Sequence, residues 1–177
     1  VYAWDSDSAT PTVVLETTNH GARAGDYMSC SGDINNGKLY FTNNDTSGNV
    51  YVYTVTNGKA SATPTVITLK KADGTTAYGI NDGVAVLDVR AQDDGTIICT
   101  GKGGMPTRFT AEGTYKEALT AAALDNNTIG TCYYPFTYGQ YTLAAAVTYT
   151  TGAKQGYLNL LNVTDGITKA TKIHSYG

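Results

Sequence analysis

Ala9-Thr10-Pro11-Thr12-Val13 returns as Ala62-Thr63-Pro64-Thr65-Val66, an offset of 53 residues. A fixed period is the signature of a repeat architecture, so it narrows the fold before any single residue is weighed. Each copy follows a short Tyr-containing run, Val1-Tyr2-Ala3-Trp4 in one case and Val50-Tyr51-Val52-Tyr53 in the other.

Working outward, the stretch 26–43, turning at Asn35-Asn36-Gly37, resembles 85–101, turning at Asp93-Asp94-Gly95, and a third pair of strands flanks a turn at 135–140. Three four-strand units follow: 12–16, 26–31, 38–43 and 49–55; then 65–69, 84–90, 96–100 and 106–110; then 117–123, 129–134, 141–149 and 156–163. Their last strands, with a stray strand at 1–4, begin near 1, 50, 106 and 157, spacings of 49, 56 and 51 residues. That period is close to the ~50 residues of larger propeller blades. The expected fold is all-β, with β-propeller blades of four antiparallel strands. About three are present, at 12–55, 65–110 and 117–163, with partial strands at 1–4 and 168–173. A β-sandwich is the alternative, but it would show about seven strands without self-similarity. Closing a propeller takes at least about four blades. Three blades and a start without Met lead to the expectation of a fragment of a larger propeller. Thr114-Tyr115-Lys116-Glu117 fits a helix capping box before an Ala- and Leu-rich run to Leu124, although its place in the repeat favours a strand.

Composition agrees with strands. The chain has 177 residues, 41% of them hydrophobic, enough for a core of ordinary domain size. Thr occurs 29 times and Tyr 14, both favoured in strands, and 20 Gly serve the turns between them. A net charge of −3, with no basic run longer than Lys70-Lys71, leaves no footprint for a phosphate backbone, so nucleic acid is not an expected partner. No stretch reads as a membrane span or signal peptide.

Cys30, Cys99 and Cys132 are too far apart for a CxxC metal or redox motif. Each lies in a strand-like run, where a small buried thiol is the expected role and a disulfide between two of them the alternative. His20 and His174 flank no nucleophile motif, and no carboxylate pair is singled out. No catalytic residue, metal or cofactor is expected. Asp5 and Asp7 lack the glycine and distal glutamate of a calcium loop.

Val50-Tyr51-Val52-Tyr53, Thr56-Asn57-Gly58-Lys59 and Thr63-Pro64-Thr65-Val66, with Gly25-Asp26-Tyr27 and Gly37-Lys38-Leu39-Tyr40 before them, resemble uncharacterised propeller-type lipoproteins of Bacteroidetes. The resemblance covers most of residues 1–110. It implies an exported, lipid-anchored component of the cell surface or periplasm that handles glycans, and it carries over no catalytic residue. Asp7-Ser8-Ala9 is similar to the short O-glycosylation signal of such bacteria. Asn44-Asp45-Thr46, Asn126-Asn127-Thr128 and Asn162-Val163-Thr164 fit the eukaryotic sequon, as chance allows in a chain so rich in Asn and Thr.

The densest aromatic cluster is Tyr133-Tyr134-Pro135-Phe136-Thr137-Tyr138-Gly139-Gln140-Tyr141, at the third of the equivalent turns. Aromatic rings stack on the apolar faces of sugars while carboxylates and amides bond their hydroxyls. The expected ligand contacts are therefore Tyr134, Phe136 and Tyr138 with Asn35, Asn36, Asp93 and Asp94, in a non-enzymatic binding module for glycan. The alternative for these residues is structural: Tyr133 and Tyr141 packing between blades, Asn and Asp shaping turns. Trp4 is expected to be buried against a neighbouring blade, and Arg23 to pair with Asp26. The rival functions are a carbohydrate-active hydrolase or lyase and a scaffold for other surface proteins.

Overall fold

The computed structural model describes residues 1–17, 27–42, 48–78, 86–101, 104–124, 128–150 and 155–177. His20, Arg23, Asp26, the Asn44-Asp45-Thr46 sequon, Asn126-Asn127 and the Cys132 side chain lie outside the described residues.

The chain is all-β, as expected, and contains several four-stranded antiparallel sheets. Two short strands, β1 (Tyr2–Ala3) and β2 (Thr12–Val13), pair with each other. The first full sheet contains β3 (Tyr27–Gly32), β4 (Asn36–Thr42) and β5 (Asn49–Thr56); one end of β5 then pairs with β6 (Lys59–Ala60) and the other with β7 (Thr65–Thr68). The second runs β8 (Val86–Ala91), β9 (Ile97–Gly101), β10 (Thr107–Phe109) and β11 (Tyr115–Ala118). The third runs β12 (Thr128–Tyr138), β13 (Tyr141–Thr150), β14 (Gln155–Asn162) and β15 (Thr171–Tyr176). Among the described residues the only helical turns are two short 3-10 segments, and no helix is long and apolar enough to cross a membrane.

The grouping of strands corrects the expected one by a single step. Strands expected to open each unit instead close the preceding sheet: β2 pairs with β1, β7 with β5, and β11 with β10. Connection length explains the choice. A tight Asn57-Gly58 turn, with φ of 48° and 79°, starts the short return from β5 to β7, whereas 69–85 separate β7 from β8, and short connections favour antiparallel neighbours. The Ala-Thr-Pro-Thr-Val repeat thus marks strands that close a sheet, β2 beside β1 and β7 beside β5. The 114–124 stretch divides into β11 and a 3-10 turn at Ala121–Leu124 rather than one element.

Strand alternation sends consecutive residues to opposite faces, and each face finds a different neighbour. Leu39, Tyr53 and Val55 of the first sheet pack with Val14 and Leu15, and with Val1 and Ala3, beside β1 and β2. Tyr40, Val50 and Val52, on the other face, meet Val89, Ile97, Cys99 and Phe109 of the second sheet. Ile98 points the opposite way and joins Tyr133, Ala144, Ala146 and Leu161 of the third. Burying a ring such as Phe109 stabilises by about 1.5–3 kcal/mol, so three such clusters stack the sheets firmly. Among the described residues no sheet packs on the other face of the last sheet, where Val147, Leu158 and Tyr176 are exposed.

Trp4 departs from expectation. Val1 and Ala3 supply the inward positions, so alternation turns Tyr2 and Trp4 outward, where Trp4 is 57% exposed. Cys99 is a buried thiol as expected, but Cys30 is exposed, because β3 alternates and its even positions face out. Of the two tyrosines considered for packing, Tyr133 is buried and Tyr141 exposed.

Candidate ligand-binding site

The first strands of the three sheets, β3, β8 and β12, meet: β3 and β12 both contact β8, and the Ala91 amide donates to Ser29 Oγ at 3.0 Å. Beside this junction lies a cavity of about 420 Å³. Met28, Ser29 and Cys30 line it from β3, Arg90 and Ala91 from β8, and Tyr134, Pro135 and Phe136 from β12. Gln92 and Asp93 of the β8–β9 turn close one side.

Arg90 is held from two directions. Its Nε donates to Asp88 Oδ2 at 3.2 Å, and its guanidinium carbon lies 5.0 Å from the Tyr134 ring centroid. Asp88 is only 1% exposed, and its Oδ1 has no hydrogen-bond partner among the described residues. Burial pushes the Asp88 carboxyl above the usual carboxylate range, with the adjacent Arg90 charge opposing it. An arginine fork carries five N–H donors, and the ion pair engages Nε alone. Arg90 thus lines the cavity with its guanidinium anchored through Nε and no other ion pair among the described residues.

Tyr134, Phe136 and Tyr138 share one face of β12, two residues apart, opposite Ala145, Leu143 and Tyr141. Tyr134 and Phe136 line the cavity; Tyr138 lies past them at the hairpin end, 71% exposed. Asp93 lines the cavity too, and with Gln92 it also lines two adjoining ones of about 380 and 290 Å³. Asn36 lines the smaller of these, near Lys38.

Two of the expected contacts belong to turns. Asp94 Oδ1 accepts from the Thr96 amide at 3.0 Å and the Thr96 hydroxyl at 2.6 Å, while Oδ2 pairs with Arg108. These bonds, the Thr96 hydroxyl foremost, hold its carboxyl below the usual range. Asn35 is an exposed turn residue whose amide donates to Asp33 Oδ1 at 2.7 Å and whose carbonyl accepts from Asn57 at 3.0 Å. The expected set thus divides into Tyr134, Phe136 and Asp93 at the main cavity, Asn36 and Asp94 at its neighbours, and Asn35 and Tyr138 outside.

Arg90, Ser29 and Cys30 are lining residues that the sequence reading does not single out. A signal existed for Arg90: in Asp88-Val89-Arg90 two opposite charges fall on one face of an otherwise apolar strand.

No protein-family model matches the chain, and no curated protein is similar to it. Among solved structures, the chain is similar to a DUF4623 family protein from Bacteroides eggerthii, with a TM-score of 0.67 at 16% sequence identity. The likeness covers 99% of this chain and 42% of that one, and what it carries is the fold.

Proposed function

We propose that this chain is a non-enzymatic carbohydrate-binding module of an exported protein, acting at the cell surface or in the periplasm. The observation that carries the reading is the cavity where the Tyr134 and Phe136 rings adjoin the anchored guanidinium of Arg90 and the carboxylate of Asp93. Rings offer a stacking surface to the C–H face of a sugar, and Arg and Asp offer a donor and an acceptor to its hydroxyls. Binding is favoured over hydrolysis because glycoside cleavage generally uses two facing carboxyl groups, and Asp93 is the single carboxylate among the described lining residues. Location outside the cytoplasm follows the resemblance to exported Bacteroidetes proteins. Isothermal titration of the whole protein against a panel of oligosaccharides tests the reading. We expect binding with at least one sugar class, weakened tenfold or more by Tyr134→Ala; a panel without any heat of binding defeats it.

We further propose that the three sheets are blades of a larger propeller, in which another four-stranded sheet covers the open face over β13–β15 and leaves the β12 edge, with Tyr134 and Phe136, at the cavity. Two observations support this. Val147, Leu158 and Tyr176 expose on that face the kind of residue that the other sheets bury against one another. The similar solved chain is also much longer than this one. Thiol labelling at Leu158→Cys in the native protein, in a Cys30→Ser background, measures the cover. Slow labelling is expected, and labelling as fast as at the exposed tip position Tyr138→Cys would count against it.

A further inference from the structure

The charges around the cavity say more about the ligand than its shape does. Arg90 is the one cationic side chain lining it among the described residues, and its charge is matched by its ion-pair partner Asp88. Asp93 stands at the turn with no such cation assigned to it, since the neighbouring Asp94 takes Arg108. Lys38, in the adjoining 290 Å³ cavity that Asp93 also lines, offsets Asp93 at most. With Asp88 ionised in its pair with Arg90, the local sum among the described residues is zero or negative, and the chain as a whole carries −3.

Resting on the carbohydrate-binding reading above, we infer that the cavity takes an uncharged glycan and discriminates against uronates, sialylated and sulfated sugars. Arg90 then acts as a double hydrogen-bond donor to adjacent hydroxyl or ring oxygens rather than as a counter-ion. Its terminal nitrogens have no partner among the described residues, while its excess charge is already balanced by Asp88. Asp93 accepts from a further hydroxyl, and a ligand carboxylate in its place would meet like charge. Ser29 has its oxygen engaged by the Ala91 amide, leaving its hydroxyl proton to donate. A neutral sugar can satisfy this set of donors and acceptors in full.

The test compares neutral oligosaccharides (β-glucan, mannan and xylan fragments) with oligogalacturonate and alginate fragments, titrated into the whole protein at low and at physiological salt. At least one neutral class is expected to bind tenfold or more tighter than either acidic one, and Asp93→Asn is expected to narrow that gap. Because Asp93 is an exposed turn residue, that variant keeps the fold, which circular dichroism verifies. An acidic fragment that binds tighter than every neutral one, with affinity rising as salt falls, overturns the inference while leaving carbohydrate binding intact. Absence of binding by both classes removes the carbohydrate reading and this inference with it.

Discussion

The guanidinium of Arg90 lies over the ring of Tyr134, 5.0 Å from its centroid, and joins the second sheet to the third at the edge of the main cavity. Cation–π contacts contribute about 0.5–1 kcal/mol at exposed sites and more when desolvated. Both partners are partly exposed, so a double-mutant cycle with Arg90→Met and Tyr134→Leu should give a coupling of about 0.5–1 kcal/mol in urea unfolding. Arg90→Met alone should cost more than that coupling, because it leaves buried Asp88 unpaired. Additive effects of the two substitutions would show that the ring and the guanidinium merely adjoin.

Asp88 gives the stability a recognisable pH dependence. Burial raises its carboxyl pKa in the folded chain above the unfolded value. The folded state therefore holds that proton longer, and the associated stability is full below the ordinary carboxylate range and lost as pH rises through the folded-state value. Asp33, Asp73 and Asp94 act in the opposite sense: backbone or hydroxyl donors lower each, so their contributions are present at neutral pH and lost on acidification. Subtracting the unfolding free energy of Asp88→Asn from that of the wild type, pH by pH, cancels those three. The difference should fall as pH rises from the ordinary carboxylate range through the folded-state value, by about 1.4 kcal/mol for each unit of raised pKa. A flat difference would mean that Asp88 titrates like a solvated carboxyl.

Neighbouring aspartates on one turn should separate stability from binding. Asp94 accepts two bonds from Thr96 and pairs with Arg108, which also bonds Thr96 Oγ1 and Glu117. Removing it leaves Arg108 and Thr96 short of partners. With the group half-exposed, Asp94→Ala should cost about 1 kcal/mol. Asp93→Ala should change stability by less than about 0.5 kcal/mol, in line with other surface substitutions, while weakening glycan binding. Equal losses of stability for both would place Asp93 in the turn framework instead of the site.

Much of this fold was readable because its signals are local. Alternation in Val50-Tyr51-Val52-Tyr53 marks a strand buried on both faces, and it lies within β5; Asn57-Gly58 marks the turn after it, with both residues at positive φ. The aromatic cluster was legible in the same way: Tyr134 and Phe136 alternate with core-facing Tyr133 and fall on the exposed side of the β12–β13 hairpin. Which strand pairs with which is decided by partners far along the chain. Thr65–Thr68 has equal propensity to open one sheet or close another, and its ladder with Asn49–Val52 settled the matter only in three dimensions. Arg90 was missed for a related reason. Its role depends on Tyr134, 44 positions away, brought close by the stacking of two sheets.

Cys30 offers a chemical test of whether the cavity is the site. Its thiol is exposed and lines the cavity beside Met28 and Ser29, whereas Cys99 is fully buried and burial pushes its thiol pKa well up. Only thiolate reacts, and a buried thiol also lacks access for reagent. In a Cys132→Ser background, iodoacetamide should therefore modify Cys30 in the folded protein and reach Cys99 only on unfolding. A saturating bound oligosaccharide should slow the Cys30 reaction several-fold, and the carbamidomethylated protein should bind it less tightly. Unchanged labelling in the presence of a sugar that titration shows to be bound would place the binding surface elsewhere, and the exposed Tyr138-Tyr141 end of the same hairpin would be the next place to substitute.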